Sequence, residues 1–426
     1  DKTKTKLTEQ LCAEGVAIHY EEDENKIPVE IFHQINQAIV VYTPAIPKNH
    51  KEWLFLQEKN IKCYKRSEIL GFISQKYFTI AVAGTHGKTT TSSMIAHVLN
   101  QSGVKCNAFL GGISLNFNSN LLLHPEAEVV VVEADEFDRS FLTLTPNIAV
   151  VTSLDADHLD VYSNKQQMDN AYKEFVQRIN PNGVLITKQA YRTALDAERL
   201  KVLTYSIEQK ADFSMVSKKA VDGNFSVALQ TPSEKVNELL IGLPGIHNIE
   251  NGIAAYAVAK ELGIDTDLII KALASYRGVK RRFEFHVKAA DLVYIDDYAH
   301  HPTELSFTIN SIKELFPNKK ITGIFQPHLY SRTRDFADEF AQSLSLLDEL
   351  ILLEIYPARE LPIKGVSAEM LLEKVTITNK QLVPINEVLN YVENHQPQVL
   401  VTLGAGDIDT LVEPISTLLM SKTVND

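Results

Sequence analysis

One segment constrains the fold of this chain more than any other, because an apolar strand pattern, a glycine-rich loop and a helical pattern follow one another without interruption. The strand pattern starts at Phe78, the loop reads Gly84-Thr-His-Gly-Lys-Thr89, and the helical pattern runs from Ser92 to Leu99. The backbone N–H groups of such a loop and the N-terminus of the next helix bind phosphate. Lys88 can place its cation on the β- and γ-phosphates, and the Thr89 hydroxyl can bind Mg²⁺. The segment therefore predicts a parallel α/β unit that binds ATP.

The loop has a short form of the phosphate-binding pattern. Val82 stands where the longer pattern G-x-x-x-x-G-K-[ST] requires glycine, so the segment matches G-T-x-G-K-T instead. The alternative is a glycine turn followed by a surface lysine. The order of strand, loop and helix favours the phosphate loop.

Length, charge and cysteine content limit the classes of protein to consider. A chain of 426 residues is too long for one core and predicts about three domains. The net charge of -12 argues against general nucleic-acid affinity, which depends on Lys and Arg. Three cysteines without metal-ligand spacing indicate reduced thiols in a cytoplasmic protein. No run of about 18 apolar residues is present, so we expect neither a membrane span nor secretion.

The pattern of strands and helices divides the chain into three α/β units in series. The expected units are an N-terminal unit over 1–77, a central ATP-binding unit over 78–278 and a C-terminal unit over 279–426. In the first unit, short apolar strands are predicted at Leu11 to Ile18, Ala38 to Tyr42 and Ile61 to Tyr64.

The second and third units contain continuous apolar runs that indicate strands buried on both faces of a parallel sheet. In the central unit these runs are 128–135 and 147–153, an antiparallel pair with its turn at Asp222-Gly223 is predicted over 211–230, and helices are predicted over 248–262 and 266–276. In the C-terminal unit, strands are predicted at 292–296, 320–325, 349–355 and 398–403, and helices at 302–316, 334–347 and 367–375.

Acidic residues and a histidine follow two of the predicted central strands. Glu133 and Asp135 end the first strand, and Asp155, Asp157 and His158 follow the second. The ends of parallel strands share one edge of a sheet, so both groups should face the phosphate loop. Carboxylates near ATP phosphates indicate a Mg²⁺ site, and His158 can serve a second cation or hold a water. The alternatives are a helix-capping or surface acid at Glu133 and a local hydrogen bond at His158.

Two further segments leave alternatives open. Asn248 and Asn251 could contact the edge of an adenine, or they could be a helix cap and a solvent-facing side chain, respectively. The cations of Lys280-Arg-Arg-Phe283 could contact a ligand at a domain junction, or they could belong to a solvated turn.

Polar residues also follow two predicted strands of the C-terminal unit, in Asp296-Asp-Tyr-Ala-His-His-Pro302 and Gln326-Pro-His-Leu-Tyr-Ser-Arg-Thr-Arg334. Such strand ends predict a site for a polar anionic group. Arg332 and Arg334 could clamp a carboxylate with two parallel hydrogen bonds. The alternative for the second segment is a charged surface.

Taken in this order, these motifs resemble the Mur ligases over essentially the whole chain. The most specific segments are Gly84-Thr-His-Gly-Lys-Thr-Thr-Thr91, Glu133-Ala-Asp-Glu-Phe-Asp-Arg-Ser-Phe141, Asp155-Ala-Asp-His158, Gly278-Val-Lys-Arg-Arg-Phe283, Asp297-Tyr-Ala-His-His-Pro-Thr-Glu304 and Gln326-Pro-His. The resemblance implies a three-domain fold with Rossmann-like terminal domains around a P-loop ATPase-type parallel sheet.

Within this family the segment after Glu133 is similar to that of the members that add a single amino acid. The resemblance then implies ATP-dependent, ADP-forming ligation of L-alanine to the carboxylate of UDP-N-acetylmuramate, through an acyl phosphate, in peptidoglycan assembly. The implied cofactors are ATP and Mg²⁺, and the implied partners are small-molecule substrates, with no nucleic acid and no membrane. The oligomeric state, monomer or dimer, is left open.

The resemblance also implies a role for each matching residue. Lys88, His158, Arg332 and His300 would be catalytic, and Thr89, Glu133 and His158 would hold metal. Tyr298, His300 and Arg332 would form the alanine pocket. The ATP-binding residues would be Gly84, Thr85, His86, Gly87, Lys88, Thr89, Thr90, Asn248, Asn251, Arg282 and Asp297, with the two asparagines at the adenine, Arg282 near the phosphates and Asp297 at the ribose.

The chain departs from the family pattern at two places. Family members open with a strand and a glycine-rich loop that help to bind the UDP sugar, and this sequence begins just past them. Leu329 stands where many relatives carry arginine, so the amino-acid carboxylate would rely on Arg332 or Arg334. Some members carry a carbamoylated lysine, for which Lys173 lies at a plausible distance, although the alanine-adding branch is not known for it.

Two rival functions remain as alternatives. One is the recycling ligase that attaches a ready-made tripeptide to the same sugar nucleotide, which the segment from Glu133 to Ser140 disfavours. The other is a nucleotide-binding regulatory or transport module without ligase chemistry. The polar cluster at Asp297 to Pro302 with Arg332 argues against that module, because an ATP switch does not need a second polar pocket.

Overall fold

Three separate sheets follow one another along the chain in the computed structural model, which describes residues 3–33, 38–44, 46–155, 162, 164–221, 224–358 and 360–423. The sheets contain two, ten and six strands, in that order. Helices alternate with the strands in each part. The α/β fold class predicted from the sequence is confirmed.

The N-terminal part is a small unit built on two parallel strands. Its elements are the helices α1 (Lys6–Ala13), α2 (Glu30–His33), α3 (Lys51–Glu58) and α4 (Arg66–Ser74) and the strands β1 (Val40–Tyr42) and β2 (Cys63–Lys65). The predicted strand from Leu11 to Ile18 is wrong, because its first residues belong to α1. The Thr5 side chain accepts a hydrogen bond from the Thr8 backbone N–H at 3.2 Å, and the Thr8 side chain accepts one from the Thr5 backbone N–H at 2.9 Å. This capping box satisfies the first N–H groups of a helix and favours it over an extended chain.

The central sheet contains ten strands in the order β12-β11-β10-β9-β8-β7-β3-β6-β4-β5. Its strands are β3 (Phe78–Ala83), β4 (Cys106–Ser114), β5 (Ser119–Leu122), β6 (Val129–Glu133), β7 (Ile148–Val151), β8 (Val184–Lys188), β9 (Lys201–Ser206), β10 (Phe213–Val221), β11 (Asn224–Gln230) and β12 (Lys235–Ile241). Its helices are α5 (Lys88–Gln101), α6 (Lys165–Gln177), α7 (Ile246–Glu261) and α8 (Thr266–Ala274), with a short 3₁₀ segment at Phe137–Thr143.

Strand β3 lies between β6 and β7, and both pairings are parallel. Ile80, Ala81 and Val131 are fully buried, as the continuous apolar runs predict. The predicted antiparallel pair is confirmed by β10 and β11, whose register places Val221 opposite Asn224. Its predicted turn, Asp222-Gly223, lies outside the described residues.

The C-terminal sheet has the strand order β13-β14-β18-β15-β16-β17, in which β13 is an antiparallel edge and the other neighbours are parallel. Its strands are β13 (Glu284–Lys288), β14 (Val293–Asp297), β15 (Ile321–Phe325), β16 (Glu349–Leu352), β17 (Lys380–Leu382) and β18 (Val399–Leu403). Its helices are α9 (Pro302–Leu315), α10 (Tyr330–Asp335), α11 (Ala337–Leu344), α12 (Ala368–Lys374), α13 (Val388–Asn394) and α14 (Asp409–Thr423).

The single helix predicted over 334–347 is instead two helices, α10 and α11, that meet at Phe336. Phe336 has φ -120° and ψ 23°, and its ring lies against the ring of His301 with centroids 4.9 Å apart. Packing of this aromatic side chain accompanies the break in the helical backbone. Among the helices of the described ranges, none combines the length and the apolar character needed to cross a membrane.

Candidate active site

The phosphate loop lies between β3 and α5 and requires glycine at both ends. Gly84 has φ +134°, and a Cβ atom there would lie 2.2 Å from Thr152 Oγ1. Gly87 has φ +80°, and a Cβ atom there would lie 2.7 Å from Asn251 Oδ1. Neither conformation nor space suits a larger residue. The two glycines thus allow the backbone conformation in which the N-terminus of α5 faces a cavity.

The Lys88 ammonium is held at the loop by two acceptors. Its Nζ donates to the Gly84 carbonyl at 2.8 Å and to Glu136 Oε1 at 2.8 Å. Burial acts to lower the pKa of Lys88, but the nearby carboxylates, chiefly Glu136 and then Glu133, more than offset it and raise the pKa above its usual value. Lys88 therefore stays a cation. Glu136 was not among the predicted site residues, although its position three residues after Glu133 at a strand end was a usable signal.

Removing the Glu136 charge should cost stability, because the carboxylate is fully buried against Lys88. We expect Glu136→Gln to lower the free energy of unfolding by about 3 kcal/mol, the size typical of breaking a buried ion pair from one side. Urea denaturation measures this change. Glu126→Gln is the matched control, since the Glu126 pair with Lys105 is exposed and its loss should cost less than about 1 kcal/mol. Equal losses in the two variants would contradict a stabilising role for the buried pair.

Two of the three predicted metal ligands lie together. Thr89 Oγ1 donates to Glu133 Oε1 at 3.0 Å, and the Gly111 backbone N–H donates to Glu133 Oε2 at 2.8 Å. Hydroxyl and carboxylate oxygens at this spacing are the hard donors that Mg²⁺ prefers. The third predicted ligand, His158, lies outside the described residues together with Asp157, so its role stays a prediction.

These groups face a cavity of about 570 Å³ between the central and C-terminal sheets. The predicted residues that line it are Thr85, His86, Gly87, Lys88, Thr89, Thr90, Glu133, Asp135, Asp155, Asn248, Asn251, Arg282, Asp297, Tyr298 and His300. Gly84, whose carbonyl accepts a hydrogen bond from Lys88 Nζ, is not in the lining. The cavity is also lined by residues for which the sequence predicted no individual role, namely Gly111, Thr152, Ser153, Lys188, Tyr191, His247, Glu250, Thr303, Glu304, Phe307 and Thr308.

Asn248 and Asn251 are both buried near the start of α7. The Asn248 amide donates to the Pro244 carbonyl at 2.6 Å, and the Asn251 amide donates to Asn248 Oδ1 at 3.1 Å. The N-cap of α7 is Gly245, and Asn251 is only 6% exposed. Both structural alternatives, a cap at Asn248 and a solvent-facing Asn251, are therefore wrong. Contact with an adenine stays a prediction that the location in the cavity wall allows.

Arg282 enters the cavity from the junction between the second and third sheets. Arg281 and Phe283 on either side of it have φ values of +61° and +52°, which side chains larger than glycine rarely adopt. The Arg282 guanidinium lies over the Tyr298 ring, 5.0 Å from its centroid. This arrangement supports the ligand-contacting alternative for the segment over the solvated turn.

Asp297 ends β14 in the same wall. Its carboxylate accepts hydrogen bonds from the backbone N–H groups of Phe283 at 3.0 Å and Ala299 at 2.8 Å. Burial raises the pKa of Asp297 to about 7, although the Arg282 cation and the Ala299 N–H act in the opposite direction. The predicted contact with a ribose is not tested by these distances.

The predicted alanine pocket is only partly assembled within this cavity. The rings of Tyr298 and His300 lie 5.2 Å apart, and His300 lies 6.1 Å from the ring of His328. Burial and then the cation of Arg332 lower the pKa of His328 to about 4. Arg332 itself is on α10 and is not in the cavity lining, so its contact with an amino-acid carboxylate remains a prediction.

Arg334 and Lys173 each form an ion pair with a nearby aspartate. Arg334 Nε pairs with Asp335 at 2.7 Å, which makes it the weaker candidate for a carboxylate clamp. Lys173 Nζ pairs with Asp196 at 2.8 Å and does not line the cavity. The geometry does not favour a modified lysine at the metal site.

A second cavity of about 320 Å³ lies between α4 and the central sheet. Arg66, Ser67 and Leu70 of α4 line one side of it. It shares Gly111 and Glu133 with the first cavity, and also Asp135. The predicted metal site therefore stands in the wall where the two cavities meet.

Known proteins are similar to this chain over nearly its whole length. The chain is 48% identical over 420 residues to the UDP-N-acetylmuramate–L-alanine ligase of Parabacteroides distasonis, covering 98% of this chain and 91% of that protein. It is 45% identical over 420 residues to the ligase of the same name from Christiangramia forsetii, covering 99% and 91% of the two chains. The chain belongs to the Mur ligase family. Sequence models of the Mur ligase family catalytic domain, the Mur ligase middle domain and the Mur ligase glutamate ligase domain match residues 1–78, 82–259 and 281–406, respectively.

Solved structures of Mur ligases have the same fold. The UDP-N-acetylmuramate-alanine ligase of Thermotoga maritima aligns with a TM-score of 0.81 at 25% identity, covering 99% of this chain and 92% of that one. A murein peptide ligase from Psychrobacter arcticus aligns with a TM-score of 0.65 at 21% identity, covering 97% and 91%. The second likeness concerns the fold alone. The family resemblance inferred from the motifs is thereby confirmed.

Proposed function

We propose that this Mur ligase joins L-alanine to the carboxylate of UDP-N-acetylmuramate, with conversion of ATP to ADP and phosphate, as a step of peptidoglycan synthesis. Curated relatives at 43% to 48% identity carry the name of this activity over nearly the whole chain. The observation that carries the proposal is the wall shared by the two cavities at Gly111, Glu133 and Asp135. One cavity would hold the nucleotide, and the other would admit the sugar carboxylate to the γ-phosphate.

The first step transfers a phosphoryl group. A carboxylate oxygen of UDP-N-acetylmuramate attacks the γ-phosphorus, the bond from that phosphorus to the bridging oxygen breaks, and ADP leaves. Negative charge builds up on the transferring group and on the leaving oxygen. Lys88, which is held at the loop by Gly84 and Glu136, would neutralise this charge, and the N–H groups at the start of α5 would bind the phosphates. The product is an acyl phosphate.

The second step forms the amide. The neutral amine of L-alanine attacks the acyl carbon to give a tetrahedral intermediate, which loses phosphate and a proton. Tyr298 and His300 lie in the C-terminal wall where the amino acid would enter, and Arg332 on α10 would bind its carboxylate. Closure of the C-terminal wall over the acyl phosphate would exclude water, which competes with the amine.

The donor set fits Mg²⁺. Thr89 and Glu133 supply a hydroxyl and a carboxylate oxygen 3.0 Å apart at the cavity wall, and Asp135 adds a second carboxylate to the lining. Mg²⁺ when bound would neutralise charge on the β- and γ-phosphates. A second ion served by His158 remains part of the proposal.

ADP release with UDP-N-acetylmuramate and a panel of amino acids tests the function. We expect ADP release to require the sugar nucleotide and to be fastest with L-alanine, compared with L-serine and glycine. The tripeptide L-alanyl-γ-D-glutamyl-diaminopimelate belongs in the same panel. Preference for the tripeptide would identify the recycling ligase, and release that depends on neither co-substrate would identify a nucleotide-binding module.

A further inference from the structure

Glu304 joins the phosphate loop to the C-terminal wall of the cavity. Its Oε1 lies 3.0 Å from Nδ1 of His86 in the loop. Its Oε2 accepts the backbone N–H of His300 at 3.1 Å and lies 3.3 Å from that ring's Nδ1. One carboxylate thus contacts both the loop that would bind ATP and a residue of the predicted alanine pocket.

The surroundings favour an ionised carboxylate at this point. Glu304 occupies the third position of α9, where the helix dipole stabilises negative charge. Although burial acts to raise the pKa of Glu304, the imidazoles of His300 and His86 and the Arg282 guanidinium outweigh it and hold the pKa well below its usual range. On its other side, the His86 ring reaches Asp155, with Nε2 3.4 Å from Oδ2.

Glu304 is the first of several contacts that one face of α9 makes with the central part. Phe307 lies against His247 with ring centroids 6.1 Å apart, and Ser311 Oγ accepts the Ile246 backbone N–H at 3.3 Å. Glu314 pairs with Lys218 at 2.6 Å. Positions 304, 307, 311 and 314 recur at helical spacing and therefore share a face. Glu304 and Phe307 line the cavity, whereas Glu314 lies at the remote end and does not.

We propose that Glu304 is a positioning residue that aligns the phosphate loop with the amino-acid pocket, so that nucleotide binding through His86 and the placement of His300 depend on each other. The proposal rests on the proposed function for the identity of the two ligands. Glu304 does not contact the reacting atoms. It acts through His86 and His300.

The test is a double-mutant cycle on nucleotide affinity. Glu304→Gln keeps the size but loses the charge-assisted hydrogen bonds, so we expect the dissociation constant of a non-hydrolysable ATP analogue, measured by calorimetry with Mg²⁺, to rise about tenfold. His86→Gln should weaken binding similarly. Because the two residues act as one contact, the double variant should bind the analogue about as tightly as whichever single variant binds it more weakly. If the dissociation constant of the double variant instead rises by the product of the two single-variant increases, the proposal is overturned.

Glu314→Gln is the matched control, since it removes an ion pair from the same helix face away from the cavity. Any effect of Glu314→Gln on the dissociation constant should multiply with that of His86→Gln, because the two sites are independent. Glu314→Gln should also leave the Michaelis constant for L-alanine within about twofold, whereas Glu304→Gln should raise that constant about tenfold. Equal effects of the two glutamates would indicate a merely structural interface and overturn the proposal. If Glu304→Gln does not fold, Glu304→Asp, which retains the charge but shortens the side chain, enters the same cycle with the same criteria.

Binding and turnover separate this inference from the proposed function. If the cycle shows coupling between Glu304 and His86 but ADP release does not depend on L-alanine, only the proposed function is overturned. Turnover with L-alanine but without the coupling would overturn the role of Glu304 alone.

Discussion

Lys88→Met is expected to reduce ligase turnover at least about 10²-fold, because the lost cation acts on charge that develops during phosphoryl transfer. The measurement is the rate of ADP release at saturating substrates. The variant also leaves the fully buried Glu136 carboxylate without the lysine that pairs with it. The single variant should therefore also lose stability.

A double variant separates the two effects. Lys88→Met with Glu136→Gln removes both charges, so we expect most of the stability to return while turnover stays low. Near wild-type turnover in either variant would contradict the assignment of the phosphate loop. Low turnover that recovers together with stability would show that Lys88 is only structural.

Glu133→Gln is expected to weaken the apparent affinity for Mg²⁺ on the order of 100-fold, since even partners outside a ligand set contribute about 10- to 100-fold to metal affinity. The variant keeps the size of the side chain and removes the charge. Titration of ADP release with Mg²⁺ measures the shift, and high Mg²⁺ should restore part of the rate. Glu128→Gln is the control, because Glu128 is exposed just before the opposite end of β6. An unchanged Mg²⁺ requirement in Glu133→Gln would make Glu133 structural.

The pairing of Thr89 with Glu133 was predictable from the sequence. Thr89 follows β3 and Glu133 ends β6, and neighbouring parallel strands bring their carboxyl ends to one edge. Strand polarity likewise places Asp297 at the end of β14 and His300 just after it, and the apolar runs identify the strands themselves. Strong periodicity and strand polarity carry this information without knowledge of side-chain contacts.

Other features depend on contacts that no local pattern encodes. The pairs of Lys88 with Glu136 and of His86 with Glu304 require side chains from distant segments to meet, the second pair across 218 positions of the chain. Likewise, the break between α10 and α11 at Phe336 accompanies packing of its ring on His301. The segment from Leu11 was wrongly predicted as a strand because the capping box at Thr5 favours the helix α1 there. Tertiary packing and capping decided these cases against the local apolar pattern.

The acyl phosphate is the central intermediate of the proposed reaction, and oxygen transfer from the carboxylate to phosphate tests it most directly. UDP-N-acetylmuramate labelled with ¹⁸O in its carboxylate is incubated with ATP, Mg²⁺ and L-alanine, and the released phosphate is analysed by mass spectrometry. If the carboxylate attacks the γ-phosphorus and the amine later displaces phosphate, one labelled oxygen from each fully labelled carboxylate must leave with the phosphate. Phosphate without label, formed together with the amide product, would contradict activation of the sugar carboxylate by phosphoryl transfer.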